Sequence, residues 1–396
     1  MSNKLFLSYI SQIAPIVISF IALPIVYSRV PIDDIGRYES TLFLGGLFIV
    51  FSKLSLPSVY FRHKLRESTS PENIIKLLET VCLVLAFLLL LFVSIVDDFL
   101  SLIEKMYCIS LVSLILIEIL RKDTQSDENY LLAIKIFVPC AIFVQGIKVL
   151  LVLSGFISYS ALLSADIMLH TVYLVIYVTY RNLAFNFSRL TDKNRYFGLL
   201  DFDKEYWITL YAHHVLSFVN QHFVKILVIT YLSKADMALL ALSIKVLLPI
   251  SFSVDALIYW LSPLIFKGKV KPTRCHILAV LGLGALLLFL TELFYEVFFL
   301  MIFPETFVES KSIFMILLVG QIFNVVYRIA AVQILASSNI FILLNITIIN
   351  LLVTVFITYI SGADLSLRMV ASVTIIQALV QVALVYAYGR YNSQSA

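Results

Sequence analysis

Ile340–Ile360 reads IFILLNITIINLLVTVFITYI, twenty-one consecutive residues without one Asp, Glu, Lys or Arg. As a helix rising about 1.5 Å per residue, such a run crosses the roughly 30 Å hydrocarbon core of a bilayer. It does not alternate polar and apolar over about ten residues, as a membrane β-strand would. The run is one of many. Working outward from it, apolar stretches of spanning length recur at Leu5–Tyr27, Tyr38–Phe61, Ile74–Val96, Ser101–Leu120, Tyr130–Leu153 and Ile157–Tyr180. After the polar stretch Arg181–Glu205 they resume at Tyr206–Leu232, Met237–Phe266, His276–Phe303, Ser312–Ala336, Ile340–Ile360 and Leu365–Tyr388.

The composition agrees with that count. The chain is 61% hydrophobic and 14% charged, against roughly 45–50% and about 25% in soluble domains. Twelve spans of about 20 residues need about 240 positions, and 61% of 396 residues is about 242. No length remains for a soluble catalytic or nucleotide-binding domain. The expected fold is therefore all-α: a polytopic membrane protein of twelve transmembrane helices. They form a six-helix lobe over 1–180, a cytoplasmic linker over 181–205 and a second six-helix lobe over 206–396. The first span, with Pro15 and Pro24 and no small-residue cleavage site near its end, is expected to be a permanent helix rather than a signal peptide.

Loop charges orient the spans. Lys4, Arg62, Lys64, Arg66, Lys76, Arg121, Lys122, Arg181, Arg189, Lys193, Arg195, Lys204, Lys267, Lys269, Lys271, Arg274 and Arg390 fall on one side. Only Arg29, Arg37, Lys105, Lys234, Lys311 and Arg368 fall on the other. The positive-inside rule puts the first set, with both termini, in the cytoplasm. It also accounts for the net charge of +4 without nucleic acid as a partner. Cys82, Cys108, Cys140 and Cys275 stand singly in apolar runs, which suits buried thiols rather than a disulfide framework or a metal site.

Ionisable residues inside spans are costly in lipid and mark bundle interiors or wet cavities. Lys53, Lys135, Lys148, Lys225, Lys245 and Arg328 are such cations; Glu79, Glu118, Asp166, Asp255, Glu292 and Glu296 are such acids. In the seventh span Tyr211, His214, Ser217, Gln221 and Lys225 recur at three- and four-residue spacing and share one helical face, widened by Asn220 and His222. Ser8, Gln12, Pro15 and Ser19 do the same more weakly in the first span, and Lys245, Phe252, Asp255 and Tyr259 in the eighth. Some of these charges are expected to pair with one another, Lys245 with Asp255 or Arg328 with Glu292. The collection exceeds what packing needs, and points to a hydrated central cavity between the lobes whose cations suit an anionic substrate group. Enzyme motifs are missing: there is no GxSxG, HExxH or Walker sequence, and Gly282 and Gly284 lie inside a span. His213 and His214 diverge by about 100° on a helix and do not form a metal pair. Neither a metal nor a cofactor is expected.

The turn after the first span, Asp33-Asp34-Ile35-Gly36, follows a Pro-containing helix. Together with Phe303-Pro304, Phe307 and Ser310 between the ninth and tenth spans, it resembles the Wzx-type polysaccharide flippases of the multidrug/oligosaccharidyl-lipid/polysaccharide exporter superfamily. The second half departs from that pattern, with Ala238 and Leu240 where Gly and Tyr are usual. The resemblance implies two lobes alternating between inward- and outward-open states in the bacterial inner membrane. It implies an undecaprenyl-pyrophosphate-linked oligosaccharide as substrate, an O-antigen or related repeat unit, with membrane lipids and other polysaccharide-assembly proteins as further partners. Lys53, Lys225, Lys245 and Arg328 are the candidate contacts for its pyrophosphate; Gln12, Gln221 and His222 are candidates for the rest of the head group. An ion-coupled multidrug antiporter of the same superfamily is the alternative, in which Asp166 and Asp255 would couple the ion. A membrane polysaccharide polymerase is a third reading; its catalytic residues commonly sit on a long outer loop, whereas all outer loops here are short.

Overall fold

The structure, a computed structural model, describes residues 2–66, 79–82, 84–85, 101–127, 129–181, 204–266, 281–282, 284–286, 288–293, 295, 303, 305–336, 340–361 and 366–394. Their regular structure is helical throughout. The first half holds α1 (Ser2–Arg29), α2 (Ile32–Ser52), α3 (Leu56–Arg66), α4 (Leu102–Ser110), α5 (Val112–Ser126), α6 (Tyr130–Leu153) and α7 (Tyr159–Arg181). The second holds α8 (Lys204–Gln221), α9 (Phe223–Tyr231), α10 (Lys234–Phe266), α11 (Ser310–Ala336), α12 (Ile340–Ser361) and α13 (Leu367–Gln394), with a short 3-10 turn at Glu305–Phe307. Much of the third and ninth expected spans, and linker residues 182–203, lie outside the described residues.

Local chemistry sets the helix starts. Ser101 and Glu104 form a capping box at α4, each side chain accepting from the other's backbone N–H. Ser233 and Asp236 do the same at α10. The Asn129 side chain accepts from Leu132 N at α6, and Ser366 Oγ accepts from Met369 N at α13.

Three expected single spans are each built of two helical segments. The second is broken at Lys53–Ser55, where Leu54 and Ser55 take φ of 49° and 56°. A break in lipid leaves backbone groups that need partners. Here Trp207 Nε1 donates to Leu54 O at 2.7 Å and Tyr211 Oη donates to Phe51 O at 3.1 Å. The fourth span changes segment at Leu111. The seventh breaks at His222, where the Gln377 amide donates to both Asn220 O (2.9 Å) and Asn220 Oδ1 (3.0 Å). Neither Pro nor Gly occurs at the breaks at Leu111 and His222, whereas Pro57 stands in the first turn of α3, just after the first break.

α12 is amphipathic the wrong way round for water. Thr347, Asn350 and Thr354 are fully buried, while Leu352, Phe356, Tyr359 and Ile360 are more than 60% exposed. Apolar groups face outward where the solvent is itself apolar. Thr347 and Thr354 stay satisfied by donating to the carbonyls of Leu343 and Asn350, at 2.8 and 2.7 Å. Five described helices are long and apolar enough to cross a membrane: Tyr130–Leu153, Tyr159–Tyr180, Ser310–Val332, Phe341–Ile360 and Leu367–Tyr388. The chain is thus an all-α, multi-pass membrane protein.

It divides into two compact units. One is Met1–Ala22 with Thr41–Tyr211; the other is Leu23–Ser40 with Ala212–Ala396. In the first, α7 packs on α4, α5 and α6, around Ile117, Leu120, Ala133 and Phe137. In the second, α11 packs on α10 and α13, with Gly320 lying so close to Thr374 that a Cβ there would sit 2.9 Å from its hydroxyl. The hairpin Leu23–Ser40, contributed by α1 and α2, belongs to this second unit. Gly36 explains its seating: a Cβ at that position would collide with the Lys234 backbone carbonyl at the start of α10.

Candidate functional site

In the second unit the hairpin brings a carboxylate to two lysines. Glu39, two turns into α2 from the hairpin's tip, is buried and pairs with Lys245 of α10. Tyr27 Oη donates to the same Glu39 oxygen at 3.4 Å. The Lys245 ammonium also lies over two aromatic faces, 5.4 Å from the Tyr27 ring centre and 5.7 Å from that of Tyr38. A carboxylate and two π-faces replace the water that a buried ammonium gives up. Tyr27 in turn packs on Phe307, ring centres 5.5 Å apart.

Lys225, on α9 just past the break at His222, is half-buried. Among the described residues it has no carboxylate at ion-pair distance. The acid within its electrostatic reach is again Glu39, and Lys245 acts on it as a like charge. Two ammonium groups thus lie in the field of one carboxylate. His222 packs at a tilt against Phe218, ring centres 4.3 Å apart, and Gln221 is exposed, donating to Ser217 Oγ at 3.3 Å. A neighbouring face of α8 is spent on structure. His213 contacts Thr347 Oγ1 at 3.2 Å and Asn220 is held by Gln377, while the ring centres of His213 and His214 lie 5.8 Å apart.

The other expected site residues are distributed differently. Lys53 sits in the α2–α3 break of the first unit and pairs with Glu118 at 3.3 Å; Arg121 and Lys122 follow Glu118 by one turn. Asp166 is bound by Lys148 at 2.7 Å with both side chains buried. One turn on, His170 Nδ1 is 2.7 Å from Ser110 Oγ. Arg328 is half-buried on α11, and Glu292, the partner expected for it, pairs with Lys311 at 3.3 Å. Gln12 and Asp255 lie on α1 and α10, and their side chains fall outside the described residues. On the Gln12 face of α1, Ser19 Oγ accepts from Gln145 Nε2 at 2.9 Å. Among the described residues no three His, Cys, Asp or Glu side chains converge as a metal site would require.

Glu39 is the residue that sequence reasoning passed over. It falls one residue inside the second span, beside the loop acids Asp33 and Asp34, where an acid reads as interfacial. The signal that finds it is the structural one, burial beside a lysine 206 positions away in the chain.

No protein-family profile and no curated protein matches the chain by sequence. Solved structures do match its fold. The chain is similar to a MATE protein in complex with MaL6, at 12% identity and a TM-score of 0.70, covering 99% of this chain and 96% of that one. It is similar to a multidrug resistance MATE family transporter of the MOP superfamily in an outward-facing conformation, at 12% identity and a TM-score of 0.66, covering 99% and 96%. A MOP superfamily transporter from Pyrococcus furiosus matches at 13% identity and a TM-score of 0.69, covering 98% and 95%. That protein is described by a reverse polarity of its binding pocket that suggests a different function. The fold of this chain is that of the MATE transporters of the MOP superfamily.

Proposed function

We propose that this protein is a lipid-linked oligosaccharide flippase. It moves an undecaprenyl-pyrophosphate-linked repeat unit, of O-antigen or a related polysaccharide, from the cytoplasmic to the periplasmic leaflet by alternating access. The observation that carries this reading is the charge balance around Glu39: Lys225 and Lys245 are two cations in the field of one acid. A half-buried cation left in excess favours an anionic ligand group, and a pyrophosphate supplies one with many acceptor oxygens. Tyr, Gln and His side chains on the neighbouring faces suit sugar hydroxyls. The covalent structure of the substrate is unchanged, so no catalytic residue is assigned. The loop charges support an inner-membrane protein with both termini cytoplasmic.

The test is genetic and chemical. Deleting the gene, where no second flippase exists, leaves the lipid-linked unit on the cytoplasmic leaflet and depletes surface polysaccharide. Normal surface polysaccharide in that strain would refute the proposal. A multidrug antiporter is the second reading, favoured by the fold shared with a multidrug resistance transporter. It would use an embedded acid for an organic cation. Asp166 already holds Lys148, which leaves Asp255 as its candidate. Ion-dependent dye efflux lost in Asp255→Asn would support that reading instead.

A further inference from the structure

We propose that Glu39 is an exchangeable counter-ion: it occupies Lys245 when the site is empty, and the anionic group of the ligand displaces it, releasing the Leu23–Ser40 hairpin from the second unit. This inference rests on the flippase reading and says how that site is regulated. Three observations combine. Glu39 neutralises Lys245 but leaves Lys225, in reach of the same carboxylate, without an ion pair among the described residues. A pyrophosphate bridging the two lysines would satisfy both, which the single carboxylate does not. The displaced acid is not on a fixed wall. It rides on a hairpin that enters the second unit from the other end of the sequence. The contacts that seat the hairpin include Glu39, Tyr27 and Tyr38 around Lys245, Tyr27 on Phe307, and Gly36 against Lys234, beside the buried Val26, Val30 and Ile35. An anion that captures the Lys245 ammonium therefore loosens one polar anchor of the hairpin, while the Gly36 and Phe307 contacts remain as a hinge.

The consequence is opposite to that of an ordinary ligand contact. Removing the Glu39 charge removes a competitor, so binding tightens. It also removes the trigger, so turnover falls. The probe is farnesyl pyrophosphate, with the purified full chain in nanodiscs. Wild type binds it, Glu39→Gln binds it about tenfold tighter or more, and Glu39→Gln flips a pyrophosphate-linked glycolipid more slowly than wild type. Wild-type binding with unchanged or weaker binding by Glu39→Gln overturns the inference and leaves the flippase reading intact. A wild type that does not bind the probe overturns the flippase reading itself, and the inference with it.

A second measurement needs no variant. Hydrogen–deuterium exchange in the Leu23–Ser40 peptide of wild type rises when farnesyl pyrophosphate is added; unchanged or reduced exchange there overturns the inference. Inorganic pyrophosphate forms the second arm. A response to the lipid form alone supports displacement by a lipid head group, and an equal response supports displacement by free polyphosphate.

Discussion

The two units each bury an acid against a lysine, and they do so with different arithmetic. Lys148 and Asp166 pair in the first unit, 2.7 Å apart, each with only 8% of its surface exposed. Around Glu39 in the second unit, one acid faces Lys245 and the nearby Lys225. A closed pair is complete without a ligand, and its loss is felt as stability. An unbalanced set is completed from outside, and its loss is felt as binding. The same residue types in similar helices thus carry structure in one unit and, in our account, function in the other.

The largest effect should fall on the closed pair. Lys148→Met takes the cation from the buried Asp166, and should cost about 3–5 kcal/mol of stability. The double variant Lys148→Met/Asp166→Leu should recover most of that loss. Thermal unfolding in detergent reads both, and a single variant as stable as wild type would break the distinction between the two sites. At the unbalanced set the readout changes. Lys225→Met should leave the melting temperature near that of wild type while weakening farnesyl pyrophosphate binding about tenfold to a hundredfold, as loss of a charge-assisted contact does. A large fall in stability with unchanged affinity would make Lys225 structural, like Lys148.

Smaller effects sharpen the picture. Gly36→Ala forces the hairpin off the Lys234 carbonyl, and should cost about 1–3 kcal/mol and raise hydrogen exchange over Leu23–Ser40. Unaltered exchange would mean that the hairpin is seated by other contacts. Asn350, fully buried on α12, has both side-chain polar atoms without a partner among the described residues. Asn350→Leu should therefore raise stability by about 1 kcal/mol through removal of an unsatisfied amide. A loss of stability in that variant would show that Asn350 is satisfied in the membrane, by water or by another polar group.

Much of the fold was legible in the chain, because a bilayer demands runs of some twenty apolar residues and those runs are explicit. Tyr130–Leu153 coincides with its helix residue for residue. The break at Lys53–Ser55 had one local sign, Pro57 two residues on, and the break at His222 had none. Both are stabilised by distant donors, Trp207 and Gln377. The site was half visible. Lys225 and Lys245 stood out as charges inside apolar runs, whereas Glu39 sat where a loop acid is expected and its partner lies 206 residues on. Gly36 was conspicuous in its turn, but the carbonyl that excludes a Cβ there belongs to the other half of the chain. Local pattern reports burial in the membrane; it does not report which buried charges meet.

The most direct test of the central claim is transport by the purified protein in proteoliposomes, with a pyrophosphate-linked glycolipid and a cationic dye offered in parallel. The account predicts flipping of the glycolipid, reduced about tenfold or more by Lys225→Met, and no ion-driven uptake of the dye. Dye transport driven by an ion gradient, with the glycolipid left in its original leaflet, would contradict it.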